Sequence, residues 1–498
     1  MVAAAHRRPH HRGADRARRS GAAGERRQRR HRLPGRGRLA PEGAGAAGIS
    51  RRIRRRAAHH ARRLRRADLR GRGSRRAVRD RRAPQSGGER AGQRRHVRRG
   101  AERGRRGAAG EVMSWFQPRS ALFWVYWVVV VGGALGLVVQ VLPVAAVTWS
   151  GILVGLPFVL ATLLAIGAII VLLDRFRARR PIVTPLIMGF VWGAAAGPGI
   201  AMFANDNNMR VVQNIAGDAF AVNWQAPISA AIVEEGIKGA GVFAVAWLSR
   251  PLLIRPMHGL LLGAFTGLGF QVVEDVVYEA NAGLQSAQGD IASAVLVGIL
   301  RLATGITSHW MLTGLAGIGI VVAVGESGWP RARRALVFAT FYLLGAALHF
   351  GWDAPAPWNA GVGSIVLRTL GYVVVFAAVY AWVLRTEQRW YRMIVAWVVA
   401  RGMAPPDELA TLVSWRSRRR ARRQQRIPHR IARQRQHVLL DWVQAVGANL
   451  RIAHGPGGDV ILERSAGPTG FDVATTGRPD PRGAHDHAGR PPAPGTGT

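Results

Sequence analysis

Residues 228–248 read ISAAIVEEGIKGAGVFAVAWL, an apolar stretch that carries Glu234, Glu235 and Lys238 inside it. About 20 apolar residues cross a bilayer as a helix, so the stretch predicts a membrane span with three charges at depth. On a helix Glu234 stands four residues and Glu235 three residues from Lys238, and both carboxylates can lean on one ammonium. Lys238 is the only lysine of the chain; the other basic residues, histidine apart, are all arginine. A charge at the bilayer centre costs about 2.5–3.5 kcal/mol even on the gentler insertion scale, so a chain keeps one for a pathway, a pair or a chemistry.

Apolar runs of similar length recur at 121–142, 150–173, 183–203, 227–248, 257–280, 300–324, 335–354 and 362–384. They predict an all-α fold, a polytopic transmembrane helix bundle of about eight spans within residues 113–385. The sixth run is the least regular, because 291–300 is also apolar and Arg301 interrupts it. Arginines set the orientation, since cytoplasmic loops collect them. The loops at 175–180, 250–255 and 331–334 and the segment after Arg385 are basic, whereas 143–149, 204–226, 281–290 and 355–361 hold Arg210 as their only basic residue. The alternation predicts a multi-pass protein of the cell membrane with both termini in the cytoplasm.

The chain as a whole has 498 residues and a formal charge of +42, which suggests a nucleic-acid binder. The distribution argues otherwise. Residues 1–112 hold 37 arginines against eight acids, an excess of +29, and lack any sustained apolar period. Such a segment has nothing to bury and is expected to be disordered. After Met1 the next methionine is Met113, which opens MSWFQPRSALFWVYW. Residues 1–112 are therefore expected to be a misassigned start, the competing reading being a basic arm that attracts phosphate or anionic lipid. Residues 386–454 read as short basic amphipathic cytoplasmic helices lying on lipid or packed under the bundle. Residues 455–498, rich in Gly, Pro, Asp and His, read as a disordered tail. No specific nucleic-acid partner is expected. Cysteine is absent, which removes disulfides and thiolate chemistry.

Three further spans carry ionisable groups. The fifth holds Phe270, Glu274 and Asp275, the sixth Arg301 and His309, and the seventh ends in LHFGWDAP, with His349 and Asp353 four apart on one helical face. Counted from the predicted outer ends at 1.5 Å per residue, Glu234, Glu274 and His309 lie about 9–10 Å deep, and His349 and Asp353 occupy the last turns of their span. Groups scattered for unrelated structural reasons would not share one layer. Glu234, Glu235, Lys238, Glu274, His309, His349 and Asp353 are accordingly read as one site in the outer half of the bilayer. Asp275 and Glu279 are expected to face polar surroundings or the outer boundary, Arg301 to pair with an acid or snorkel, and Gly263, Gly267 and Gly269 to serve helix packing.

Carboxylates and imidazoles in a water-filled pocket can activate water. A glutamate can take the proton while a histidine or metal stabilises the oxyanion. Two imidazoles and a carboxylate, read as His309, His349 and Glu235, also make a Zn²⁺ set with an open position. HExxH, GxSxG and GxGD motifs are missing from the spans.

EEGIK at 234–238, Phe270 with Glu274, His309 four residues before Thr313, and HFGWD at 349–353 occur in order on successive spans, and in this the chain resembles the PrsW family of intramembrane proteases. That family is similar in turn to the CAAX prenyl endopeptidases and bacteriocin-processing membrane proteases, whose EExxxR motif has one more residue before its basic group. The resemblance covers about residues 183–386. It implies a bacterial membrane peptidase, often labelled a metalloprotease, whose active site holds the seven residues named above. It further implies a membrane-anchored protein substrate cut near the outer face, in some members an anti-sigma factor. A proton- or ion-coupled transporter is the competing reading, since buried carboxylates beside a lysine also relay protons. The polar motifs differ from span to span and no internal repeat is visible, which counts against it.

Overall fold

The computed structural model describes residues 116–285, 289–326, 328–355, 361–425, 427–454 and 460–464. The readings made on 1–112, and on the tail beyond 464, lie outside the described residues. The described chain is helical apart from one short hairpin. Six helices or helix pairs are long and apolar enough to cross a membrane.

The first, α1 (Ala121–Leu173), contains two of the expected spans and breaks at Thr148, where φ/ψ is −115°/26°. After a 3-10 turn at Arg180–Ile182 come α2 (Val183–Ala216), α3 (Asp218–Ser229), a π turn (Ala230–Glu234) and α4 (Glu235–Leu248). Next are α5 (Pro256–Gln285), α6 (Asp290–Thr304), a 3-10 turn (Gly305–Thr307), α7 (His309–Val324), α8 (Arg331–Asp353) and α9 (Gly361–Ala400). Three shorter helices, α10 (Pro406–Ala410), α11 (Trp415–Gln424) and α12 (His429–Ala448), precede strands β1 (Leu450–His454) and β2 (Val460–Arg464).

Close contacts give each helix its direction. Along the first arm of α1, Tyr126 donates to Met188 O and Gly133 meets Ala196, so this arm runs parallel to α2. On the second arm Gly155 meets Glu279 and Thr162 lies near Gly305, which Gln271 also approaches, so this arm runs against α5. Gly189, Gly193 and Gly197 of α2 meet Leu262, Thr266 and Phe270 in turn, which makes α2 and α5 parallel. The two arms of α1 are therefore antiparallel about Thr148.

Helix α5 is the centre of the bundle, packed on α1, α2 and α7. Gly259, Gly263 and Gly267 form its seam with α7. A Cβ at these positions would stand 2.4 Å from Gly317 O, 2.1 Å from Thr313 O and 2.2 Å from His309 O. The four-residue spacing of small residues is what lets two backbones meet without a hydrophobic driving force in lipid, and it confirms these glycines as packing positions.

Several boundaries differ from expectation. The polar segment 204–226, read as a loop, is helical: α2 continues through ANDNNMRVVQNIA to Gly217, whose φ of +80° ends it. Such residues are poor in hydropathy but adequate for a helix that leaves the apolar layer. Helix α9 continues unbroken to Ala400, so RWYRMIVAWVVA is its extension and not a separate amphipathic helix. That extension buries Trp390, Tyr391, Ile394 and Val398 against Leu439, Leu440, Trp442 and Val443 of α12, forming a second core. Buried Arg255 at the start of α5 ties the two cores together, bonding Glu387 at 2.9 Å and Gln444 at 2.8 Å. Strand β2 falls within the stretch read as a disordered tail; its VILER run includes β-branched residues and pairs antiparallel with β1, Ile452 opposite Leu462.

Candidate active site

The site forms where α4, α5, α7 and α8 meet. Glu234 ends the π turn and Glu235 begins α4, and both are buried. Widened π turns recur at functional sites because they re-aim side chains within a helix, and here both glutamates reach Lys238. Lys238 Nζ lies 2.8 Å from Glu235 Oε1 and 3.4 Å from Glu234 Oε2, with its side chain fully enclosed. The same ammonium is 2.9 Å from His309 Nδ1 and 4.3 Å from the centre of the Phe270 ring.

His309 is the first residue of α7. It follows the Gly305–Thr307 turn and an extended Ser308. Membrane helices break where the freed backbone finds other partners, and Gln271 Nε2 donates to Gly305 O here. The break explains the irregular sixth apolar run. His349 comes from α8, its ring centre 5.1 Å from that of His309 in an edge-on arrangement.

Each imidazole has one nitrogen held by a carboxylate. His309 Nε2 is 2.7 Å from Glu274 Oε2, and His349 Nδ1 is 2.9 Å from Glu235 Oε1. With protons on those nitrogens, the unprotonated ones are His309 Nδ1, which accepts from Lys238, and His349 Nε2; they stand 3.9 and 3.7 Å from Glu234 Oε2. Asp353 Oδ2 stands 3.6 Å from His349 Nε2, with about a third of its side chain exposed. All seven residues read from the sequence thus come together in one connected cluster.

The pattern fits a metal centre. Glu234, His309 and His349 each offer a ligand atom, all within 4.8 Å of one another. Ligands about 2.0–2.1 Å from a tetrahedral ion stand about 3.4 Å apart, so a small contraction suffices. Metal-bound histidines almost always donate their other ring N–H to a carboxylate or carbonyl, which Glu274 and Glu235 supply. The carboxylate in this set is Glu234, whereas the sequence reading named Glu235. Spacing cannot separate adjacent glutamates, but in the fold Glu235 is turned to His349 Nδ1 and Lys238. The charge balance agrees: among the described residues the only lysine and arginine ion-paired with Glu234, Glu235, Glu274, Asp275 and Asp353 are Lys238 and Arg301, a formal −3 when both imidazoles are neutral. Buried charge of that size calls for a cation.

Residues 182–383 match the PrsW family intramembrane metalloprotease. The chain therefore carries a PrsW protease domain, and it is a membrane protein with protease activity. No curated protein and no solved structure matches it.

Around the PrsW site stand residues that sequence reasoning left in doubt or passed over. Arg301 Nη2 donates to Glu274 Oε2 at 2.6 Å, and its Nε donates to Asp275, so it pairs with acids and does not snorkel. Asp275 is buried and faces the Arg301 guanidinium, the polar surroundings expected of it. Asn205 Nδ2 donates to Glu234 Oε1 at 3.1 Å and is itself held by Ser229 Oγ at 2.9 Å. Its only sequence signal was the abrupt polar run after 203. Thr313 Oγ1 lies 3.4 Å from Glu235 Oε2, and the Phe270 ring is 4.9 Å from that of His309.

Proposed function

We propose that the PrsW domain hydrolyses a peptide bond of a membrane-anchored protein near the outer face of the bilayer, with Glu234, His309 and His349 holding a divalent ion, Zn²⁺ by donor chemistry. The observation that carries this is the convergence of two unprotonated imidazole nitrogens, one of them held by Lys238, on Glu234 Oε2.

An ion held there supplies Lewis acidity and makes water more acidic. The chain's own residues do the remainder. Glu274 and Glu235 hold the two imidazoles in the ligating tautomer, and Arg301 fixes Glu274. Lys238 offsets the charge of the paired glutamates; when His309 Nδ1 is taken by the ion, Lys238 keeps Glu235. Asp353, the most exposed acid of the set, is positioned to take a proton from water and return it to the leaving amine.

Antiparallel contacts of α2 with the π turn and α4 (Trp192–Ile237, Asn205–Glu234), of α7 with α8 (Gly319–Phe338, Leu312–Gly345) and of α8 with α9 (Phe341–Trp382, Trp352–Tyr372), added to the two arms of α1 and the α5/α7 seam, support eight passes. The basic ends at 175–180, 250–255 and 386–424 lie together, which supports their cytoplasmic placement and, with an even number of passes, that of both termini. The family resemblance makes an anti-sigma factor the natural substrate class.

The test is co-expression of single-span membrane proteins with wild type, Asp353→Asn or Glu235→Gln, followed by profiling of new protein termini in the membrane fraction. New termini near an outer boundary with wild type alone are expected. Identical termini in all three strains, at equal levels of folded protein, would overturn the proposal.

A further inference from the structure

A cavity of about 670 Å³ lies at the opposite end of the bundle from Asp353, between the end of α1, the turn that follows it, and the α11/α12 hairpin. Its walls include Arg175, Arg177, Arg179, Arg418, Arg422 and Arg433. Among the described residues four of the six lack an acidic partner. Arg177 is spent on Asp441 and Arg179 on Asp174, and Arg175 is engaged by the Tyr380 hydroxyl. Among the described residues no carboxylate ion-pairs with Arg418, Arg422 or Arg433.

Arg418 and Arg422 are built in, whereas Arg433 stands exposed at the edge. Arg418 is only 7% exposed, donates through Nη1 to Arg175 O at 2.6 Å and lies 5.2 Å from the Phe176 ring centre. Arg422 Nη1 is set by Gln436 Oε1 at 2.6 Å. Burial first, and then repulsion from Arg422 and Arg175, lowers the Arg418 guanidinium to about 10. An uncompensated cluster held this rigidly calls for an anion.

The rim says which kind. Val171 and Leu172 end the second arm of α1, a membrane-length apolar helix, and Leu172 and Trp415 are largely exposed at the mouth. An apolar lip with an indole beside a guanidinium floor is the arrangement of the lipid–water interface. We infer that this cavity binds the phosphate of an anionic phospholipid headgroup, with the acyl chains lying along the end of α1. The lipid would seat the α11/α12 hairpin under the bundle. The inference stands independently of the protease reading.

The test is native mass spectrometry of the purified full-length protein with phosphatidylglycerol, phosphatidylcholine, inorganic phosphate or a short RNA added. Variants are Arg422→Gln/Arg433→Gln, Arg433→Gln alone, which disturbs no hydrogen bond described here, and Arg416→Gln/Arg420→Gln as a control of equal charge on exposed positions of α11. Phosphatidylglycerol is expected to stay bound to wild type and control, with affinity falling on the order of tenfold in the double pocket variant and less in the single. Equal retention of the two lipids, equal retention by pocket and control variants, or displacement of the lipid by phosphate or RNA would each overturn the assignment.

Discussion

Glu274 Oε2 lies 2.7 Å from His309 Nε2 and so decides which nitrogen of that imidazole faces Glu234. Replacing Glu274 with Gln keeps the shape but lets the amide NH₂ compete for the same nitrogen, which reverses the tautomer. Metal affinity and cleavage rate are each expected to fall about 10–100-fold, as is usual when the outer partner of a ligating histidine is lost. Metal analysis of the purified variant beside a cleavage assay checks this; unchanged metal content would remove Glu274 from that role.

Chelation gives a second expectation. Wild type treated with a strong chelator should lose activity and regain it with Zn²⁺, while His349→Ala and Glu234→Ala should hold less than a tenth of the wild-type metal. Glu235→Gln should weaken metal binding about 10–100-fold, as Glu274→Gln does, but regain full occupancy at raised Zn²⁺, because Glu235 holds His349 Nδ1 and is not itself in the ligand set. Equal metal loss in Glu234 and Glu235 variants at raised Zn²⁺ would contradict the division of labour between them.

Gly267 sits where α5 crosses the start of α7, and an added Cβ would lie 2.2 Å from His309 O. Gly267→Ala should push His309 away from Lys238 and Glu274 and destabilise the fold by about 1–3 kcal/mol. Gly167→Ala, with nothing within 4 Å, should be silent. Thermal unfolding and cleavage assays on both variants provide the comparison.

Burial, then Arg177 and Arg433, lower His437 in α12 to about 4, against the opposing pull of Asp441. Its folded form is neutral where the unfolded chain, at about 6.5, already binds a proton. Stability from this group is therefore full above pH 6.5, declines as the pH falls towards 4, and changes no further below it. Midpoints of thermal unfolding across that range should fall more steeply for wild type than for His437→Gln.

Much of this was legible in the sequence because charges are rare in apolar runs, and each one placed there marked its span. Glu234, Glu274 and His309 could be assigned to one layer by counting residues, with His349 and Asp353 in the last turns of their span. The finer structure could not. Counting gives neither the π turn before Glu235 nor the partner of Arg301, since both depend on how α4 and α6 meet their neighbours. Asn205 was hidden because its stretch is polar throughout, and only the continuation of α2 turns that side chain to Glu234. The extension of α9 past Arg385 was obscured by arginines, whose long stems let a helix leave the membrane without ending.

The solitary lysine has a practical consequence. With Lys238 wholly enclosed, an amine-reactive reagent meets no side-chain target on the folded chain, the terminal α-amino group aside. Covalent labelling at that single position therefore reports opening of the bundle around the Glu234–His309–His349 cluster, without a tag or an engineered probe.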